Sequence, residues 1–204
     1  DEMPAALLAV PKIKRGALPL HHYTLIHEQL KRFRSALFVA RTLGRALVLP
    51  RTLCSCEIGF WPNHIEEDCK AGGHKKLTLP YVCPIDHYLD PPALEESKFL
   101  HRERSFFDNP RTPPALPASR VTVRVCATGG GADAGAACEL PSNEVGVVAL
   151  PSARQLRESL GKVRSKVLHL SDAVRSFGSF DSEDEARDFH RGAQELLSSW
   201  CCTA

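Results

Sequence analysis

Apolar positions along His22–Pro50 set the first prediction. Ile26, Leu30, Phe33, Leu37 and Ala40 recur at three- and four-residue steps and share one face of a helix. Gly44 stands where a helix C-cap belongs, and Ala46-Leu47-Val48-Leu49 is an apolar run that Pro50 ends. A helix delivering a fully apolar strand is half of a βαβ unit, so a covered sheet is expected. Val121-Thr122-Val123-Arg124-Val125 alternates and predicts a strand with one buried face. A second α/β pattern follows: an apolar strand over 145–150, a Ser152-capped helix through Leu156, Leu160 and Val163, then a strand at Val167–Leu170. Ser182 and Glu185 form a capping box for a last helix lined by Ala186, Phe189, Ala193, Leu196, Leu197 and Trp200. These elements predict an α/β fold, a Rossmann-like layered sheet with flanking helices.

Between them, residues 1–20 carry three prolines without clean periodicity and read as a leading arm to a single α/β domain over 21–204. Arg51 to Lys76 reads as a loop region bearing Cys, Gly and His. Leu77 to Cys83 is a short strand-like piece interrupted by Pro80. The Pro-rich stretch near 108–120 and the Gly/Ala-rich stretch 127–137 read as loops. Ser105-Phe106-Phe107 reads as a core plug beside a turn at Asp108-Asn109-Pro110. The run Gly129-Gly130-Gly131 lacks the strand-to-helix setting and the Lys-Ser/Thr of a phosphate loop.

Composition changes this picture in two places. The net charge of +2 rests on nearly balanced signs and gives no case for nucleic acid binding. No run approaches the roughly 20 apolar residues of a membrane helix. The first residue is Asp1 rather than methionine, as expected of a processed product or a fragment. The eight cysteines, Cys54, Cys56, Cys69, Cys83, Cys126, Cys138, Cys201 and Cys202, point to disulfides in an oxidising compartment. Bridging Cys126 to Cys138 would close the Gly/Ala-rich loop and contribute about 3 kcal/mol on the chain-entropy account. Zinc is the competing reading for Cys54, Cys56, Cys69 and Cys83 with His74 or His87, but Cys-x-Cys is not the usual ligand gap. No metal site is assigned.

Candidate chemistry is thin. Asp86-His87 follows a strand and offers an acid–base pair of the kind an inverting sugar transfer needs, against a plain turn-capping role. Arg34 offers a bidentate grip on phosphate, with Gln29 nearby on the same helix, against an ordinary solvated helix flank.

Four blocks, in order, resemble the C-terminal region of plant and algal glycosyltransferase family 77, the extensin (hydroxyproline-rich glycoprotein) arabinosyltransferases. They are HYTLIHEQLKRFRSALFVARTLGRALVLP, LPYVCPIDH ending at His87, RERSFFDNP from Arg102 to Pro110, and the stretch from Phe177 to Cys202. The helix–strand block alone is also similar to protein O-fucosyltransferases, whose Gly-rich start is replaced here by His21-His22-Tyr23. The family's Trp-Cys-x-x-Asp stands here as Leu53-Cys54-Ser55-Cys56-Glu57, which makes Glu57 a further candidate. The resemblance implies part of a larger Golgi-lumenal enzyme that moves arabinose from a nucleotide sugar onto cell-wall glycoproteins. It implies a supporting or acceptor-side role for this portion. The donor domain, with its Asp-x-Asp and a divalent metal such as Mn2+, is implied only upstream, and no cofactor is expected here. Asp181-Ser182-Glu183 has that spacing but sits at a helix cap. Two other readings stay open: a non-catalytic lumenal scaffold for cell-wall glycoprotein, and a free-standing sugar transferase similar to the O-fucosyltransferases.

Overall fold

A computed structural model describes residues 8, 18–57, 65–66, 69–70, 76–126 and 138–197. The helix α1 (Leu18–Thr42) begins inside the stretch read as an arm. The anticipated stripe is present, with Ile26, Phe33, Leu37 and Ala40 buried, but Leu25, Phe38 and Val39 are buried too. The helix is covered on more than one side because it packs against both the short strands after it and α4 (Ala153–Leu160). Gly44, at φ +63°, closes α1 through bonds from Gly44 N to Arg41 O and from Arg45 N to Ala40 O. That left-handed turn strains any residue with a Cβ.

The apolar run becomes β1 (Leu47–Val48), paired in parallel with β8 (His101–Arg102). Only Leu49 of the run is deeply buried, and Leu47 and Val48 stay half-buried. The expectation of a fully covered strand fails there because one edge and face of β1 look onto a cleft. Next come β2 (Thr52–Cys54), β3 (Cys56–Glu57), β4 (Ile65–Glu66), β5 (Cys69–Lys70), β6 (Lys76–Leu77) and β7 (Tyr81–Cys83). They form three antiparallel pairs, β2 with β7, β3 with β4 and β5 with β6. The strand-like piece over 77–83 is thus divided between two ladders, with a cis Leu79–Pro80 bond between them.

The bridge Cys54–Cys83 ties β2 to β7 with Cα atoms 5.7 Å apart, and Cys126–Cys138 forms as expected, also at 5.7 Å. Cys201 and Cys202 lie outside the described residues, as do Trp200 and the 127–137 stretch. α2 (Pro91–Glu96) and β8 lead to a 3-10 turn (Arg104–Asp108), and the Pro-rich stretch read as a loop holds the short α3 (Ala115–Ala118). Phe106 and Phe107 of that turn are half-buried rather than a core plug.

The second half follows the sequence closely. β9 (Arg120–Cys126), β10 (Glu144–Val148) and β11 (Val167–Leu170) form a parallel sheet in the order β10-β9-β11. α4 is the crossover that carries the chain from one side of β9 to the other. Val123 and Val147 are nearly inaccessible at its centre. Ser152 and Gln155 make the full reciprocal capping box on α4. At α5 (Glu183–Glu195) Ser182 accepts from Glu185 N, while the Glu185 carboxylate reaches Asp181 N at 3.4 Å instead of closing the box. The loop before α5 passes so close to Leu150 that a Cβ on Gly178 would meet the Leu150 carbonyl oxygen at 2.0 Å, so glycine is required. The fold is α/β with helices layered on small sheets. One core joins Leu37 and Phe38 of α1, Val123, Val147, Leu156, Leu160 and Phe189.

Candidate functional site

A cleft of about 830 Å³ separates β1 from β11, floored by α1. Arg45, set just before β1 by the turn at Gly44, fixes its width. Its guanidinium donates to Ser165 O at 2.9 Å, to Val163 O at 3.0 Å and to Lys166 O at 3.4 Å, all just before β11. The two strands therefore start at the same end of the cleft, joined by a side chain and not by a ladder. Gln29 secures the neighbouring wall. Its amide oxygen accepts from Leu53 N at 2.6 Å, and its amide nitrogen donates to Leu53 O at 2.9 Å and Leu25 O at 3.2 Å. Tyr88, also buried, donates its hydroxyl to Leu53 O at 2.6 Å.

Gln29→Leu would leave Leu53 N–H unpaired in a mostly buried wall. We expect it to lower stability by about 1–3 kcal/mol, read as a lower urea midpoint with an unchanged slope.

The lining is apolar with a cationic border. Leu47, Val48, Leu168, Leu170, Phe106 and Phe107 all line it, together with Arg51, Arg102, Arg120 and Lys166. No carboxylate lines the cleft among the described residues. Arg102 lies 6.0 Å from the Phe106 ring centroid, over its face. Arg51, Arg120 and Lys166 have no ion-pair partner among the described residues. Such a surface favours ligands that combine apolar and negatively charged groups.

His169 of β11 also lines the cleft. Partial burial and the positive charge of Arg120 push its pKa below the ordinary 6.5. Outside the cleft, burial and Arg34 lower His190 in the same way. An unfolded chain binds these protons at higher pH than the folded one, so folding stability falls as pH drops through 6.5 toward the lower folded values. We expect thermal midpoints to decline between pH 7.5 and 5, and the double variant His169→Gln, His190→Gln to decline less steeply. An identical slope in both proteins would contradict these assignments.

The candidates named from sequence are spread widely. Gln29 borders the cleft, with its amide engaged by the backbone. Arg34 lies outside it, its guanidinium 2.7 Å from Nδ1 of His190 on α5. Asp86 and His87 are exposed on a 3-10 turn (Ile85–His87), of which only Ile85 reaches the cleft. Glu57 is in β3, whose side chains lie outside the described part. Asp181 accepts from Arg154 N at the start of α4 and pairs with the Arg157 guanidinium, which accounts for it structurally. Among the described residues no three His, Cys, Asp or Glu side chains are grouped to hold a metal, and no helix is long and apolar enough to cross a membrane. Sequence reasoning passed over Arg51, Arg120, Lys166 and His169, which come from separate loops and strands. Arg45, Arg102, Phe106 and Phe107 were visible as parts of conspicuous blocks, but without a cleft to join them.

The chain is 28% identical over 195 residues to arabinosyltransferase XEG113 of Arabidopsis thaliana. The alignment covers 89% of this chain and 29% of that protein. The relationship is arabinosyltransferase-like. The chain spans less than a third of the relative it matches. No protein-family model matches the chain, and no solved structure matches it.

Proposed function

We propose that this chain is the C-terminal portion of a family 77-like glycosyltransferase that transfers arabinose from a nucleotide sugar to hydroxyproline-rich cell-wall glycoproteins. Its role is on the acceptor side, in the lumen of the Golgi. The observation that carries this reading is the β1–β11 cleft, a ring-bearing, cation-bordered groove with no carboxylate in its described lining. Such a groove can hold a polypeptide. It offers no carboxylate to coordinate a divalent metal or to deprotonate an acceptor hydroxyl. Among the described residues, the Asp181-Ser182-Glu183 segment does not fit a donor-binding metal, since it is occupied by a helix cap and an Arg157 pair. On this proposal the donor, Mn2+ and the reacting groups are supplied by the upstream part that the family resemblance implies. The two disulfides and the relationship to a plant arabinosyltransferase support a secretory location.

Calorimetric titration of the oxidised chain tests this. A hydroxyproline-rich peptide that retains its flanking non-proline residues is expected to bind, and UDP-arabinose, with or without manganese, is not. Micromolar binding of the nucleotide sugar by this chain alone would move the donor site here and favour the free-standing transferase.

A further inference from the structure

Among the described residues, the β1 and β11 sides of the cleft, which Leu8 also lines, have the form of an open strand position. In β1, Leu47 N and Leu49 N donate to Leu100 O and Arg102 O of the β8 segment. Backbone groups alternate sides along a parallel strand, so the N–H and C=O of Val48 point the other way, toward β11. In β11 the register places Val167, His169 and then Ser171 on the β9 side, where Ser171 N donates to Val123 O. The N–H and C=O of Leu168 and Leu170 therefore point back toward β1. Among the described residues β1 pairs only with β8 and β11 only with β9. Val48, Leu168 and Leu170 make no hydrogen bond on the facing edges. The Arg45 side chain links the residue ahead of β1 to the segment just before β11.

We propose that an extended peptide segment of a separate polypeptide docks in this cleft as an added strand, completing a sheet in the order β10-β9-β11-peptide-β1-β8. Its backbone satisfies Val48, Leu168 and Leu170. Its apolar side chains meet Leu47, Phe106 and Phe107, and its acidic side chains meet Arg51, Arg120 and Lys166. A proline cannot donate to a ladder, so the docked segment is a non-proline stretch of the acceptor rather than the hydroxyproline run itself. This deepens the acceptor-side reading and rests on it for the identity of the polypeptide.

The test uses the full oxidised chain and two capped hexapeptides, Glu-Val-Glu-Ile-Glu-Val and Lys-Val-Lys-Ile-Lys-Val, in fluorescence anisotropy. The acidic peptide should bind at least tenfold more tightly than the basic one. Arg120→Glu with Lys166→Glu, both exposed, should reverse that preference while circular dichroism stays unchanged. Val48→Pro removes the donor facing the cleft and, provided circular dichroism shows the fold intact, should weaken the acidic peptide at least tenfold. Absence of binding by the folded chain, or a preference unmoved by charge reversal, would overturn the proposal. So would binding by this chain that vanishes in a longer polypeptide carrying the upstream region, which would mean a strand of the same protein fills the position. Binding of the acidic hexapeptide without binding of a hydroxyproline-rich peptide that retains its flanking non-proline residues would uphold the strand position and remove the acceptor-side reading.

Discussion

Phe38→Ala should lower stability by about 3–5 kcal/mol, since a fully buried aromatic is lost and its space cannot collapse. The ring is only 1% exposed. It meets Phe180 edge-on with centroids 4.4 Å apart and Phe189 edge-on at 5.4 Å, with Phe177 also against it. Through these contacts α1 is held to α5 and to the loop that precedes it. Arg41 reinforces the same junction, bonded to Asp188 at 2.5 Å and lying over the Phe99 ring at 5.6 Å. Urea denaturation with intrinsic fluorescence measures the loss. Since domains of this size are stable by about 5–15 kcal/mol, the variant should be close to unfolding at physiological temperature. Phe106→Ala offers the contrast: its ring is half-buried at the cleft, so stability should change little. A Phe38→Ala midpoint near that of the parent would contradict the core described above.

Removing the Cys54–Cys83 bridge, as Cys54→Ala with Cys83→Ala, should cost about 2–4 kcal/mol. The two residues are 29 apart in sequence, against 12 for Cys126–Cys138, so the first bridge closes the larger loop and constrains the unfolded chain more. Both cysteines are also buried, and the Cys54 sulfur lies 3.4 Å from the Tyr88 hydroxyl. Thr52, Leu53 and Val82 of the bridged pair border the cleft, so the variant should lose ligand binding as well as stability. Comparison with Cys126→Ala, Cys138→Ala separates the two effects: that variant should be destabilised less and should bind as the parent does.

The second half was legible because each element carries its own local signal. β9 alternates, α4 has Ser152 with Gln155, and α5 has Ser182 with an acidic first turn. Periodicity and capping are short-range properties, and a single window of sequence reveals them. The bridge Cys126–Cys138 was readable for the same reason, its partners flanking one unstructured loop. The first half was harder. Leu47 and Val48 read as core because their neighbours are apolar, yet their burial depends on what stands beside β1, which no local pattern records. Phe106 and Phe107 failed likewise, as large apolar residues placed by a 3-10 turn against a cleft. The cleft itself was invisible: Arg45, Arg102, Arg120 and Lys166 are ordinary surface cations until β8, β9 and β11 bring them together. Asp86-His87 drew attention through sequence adjacency, while the fold leaves the pair exposed on a turn.

The most direct measurement is an amide hydrogen-exchange footprint of the oxidised chain with a hydroxyproline-rich glycopeptide that retains its flanking non-proline residues. Protection confined to Val48, Leu168, Leu170 and the Arg104–Asp108 turn is the result this account predicts. Protection centred instead on the Ile85–His87 turn, or none at saturating glycopeptide, would contradict the β1–β11 cleft as the binding site.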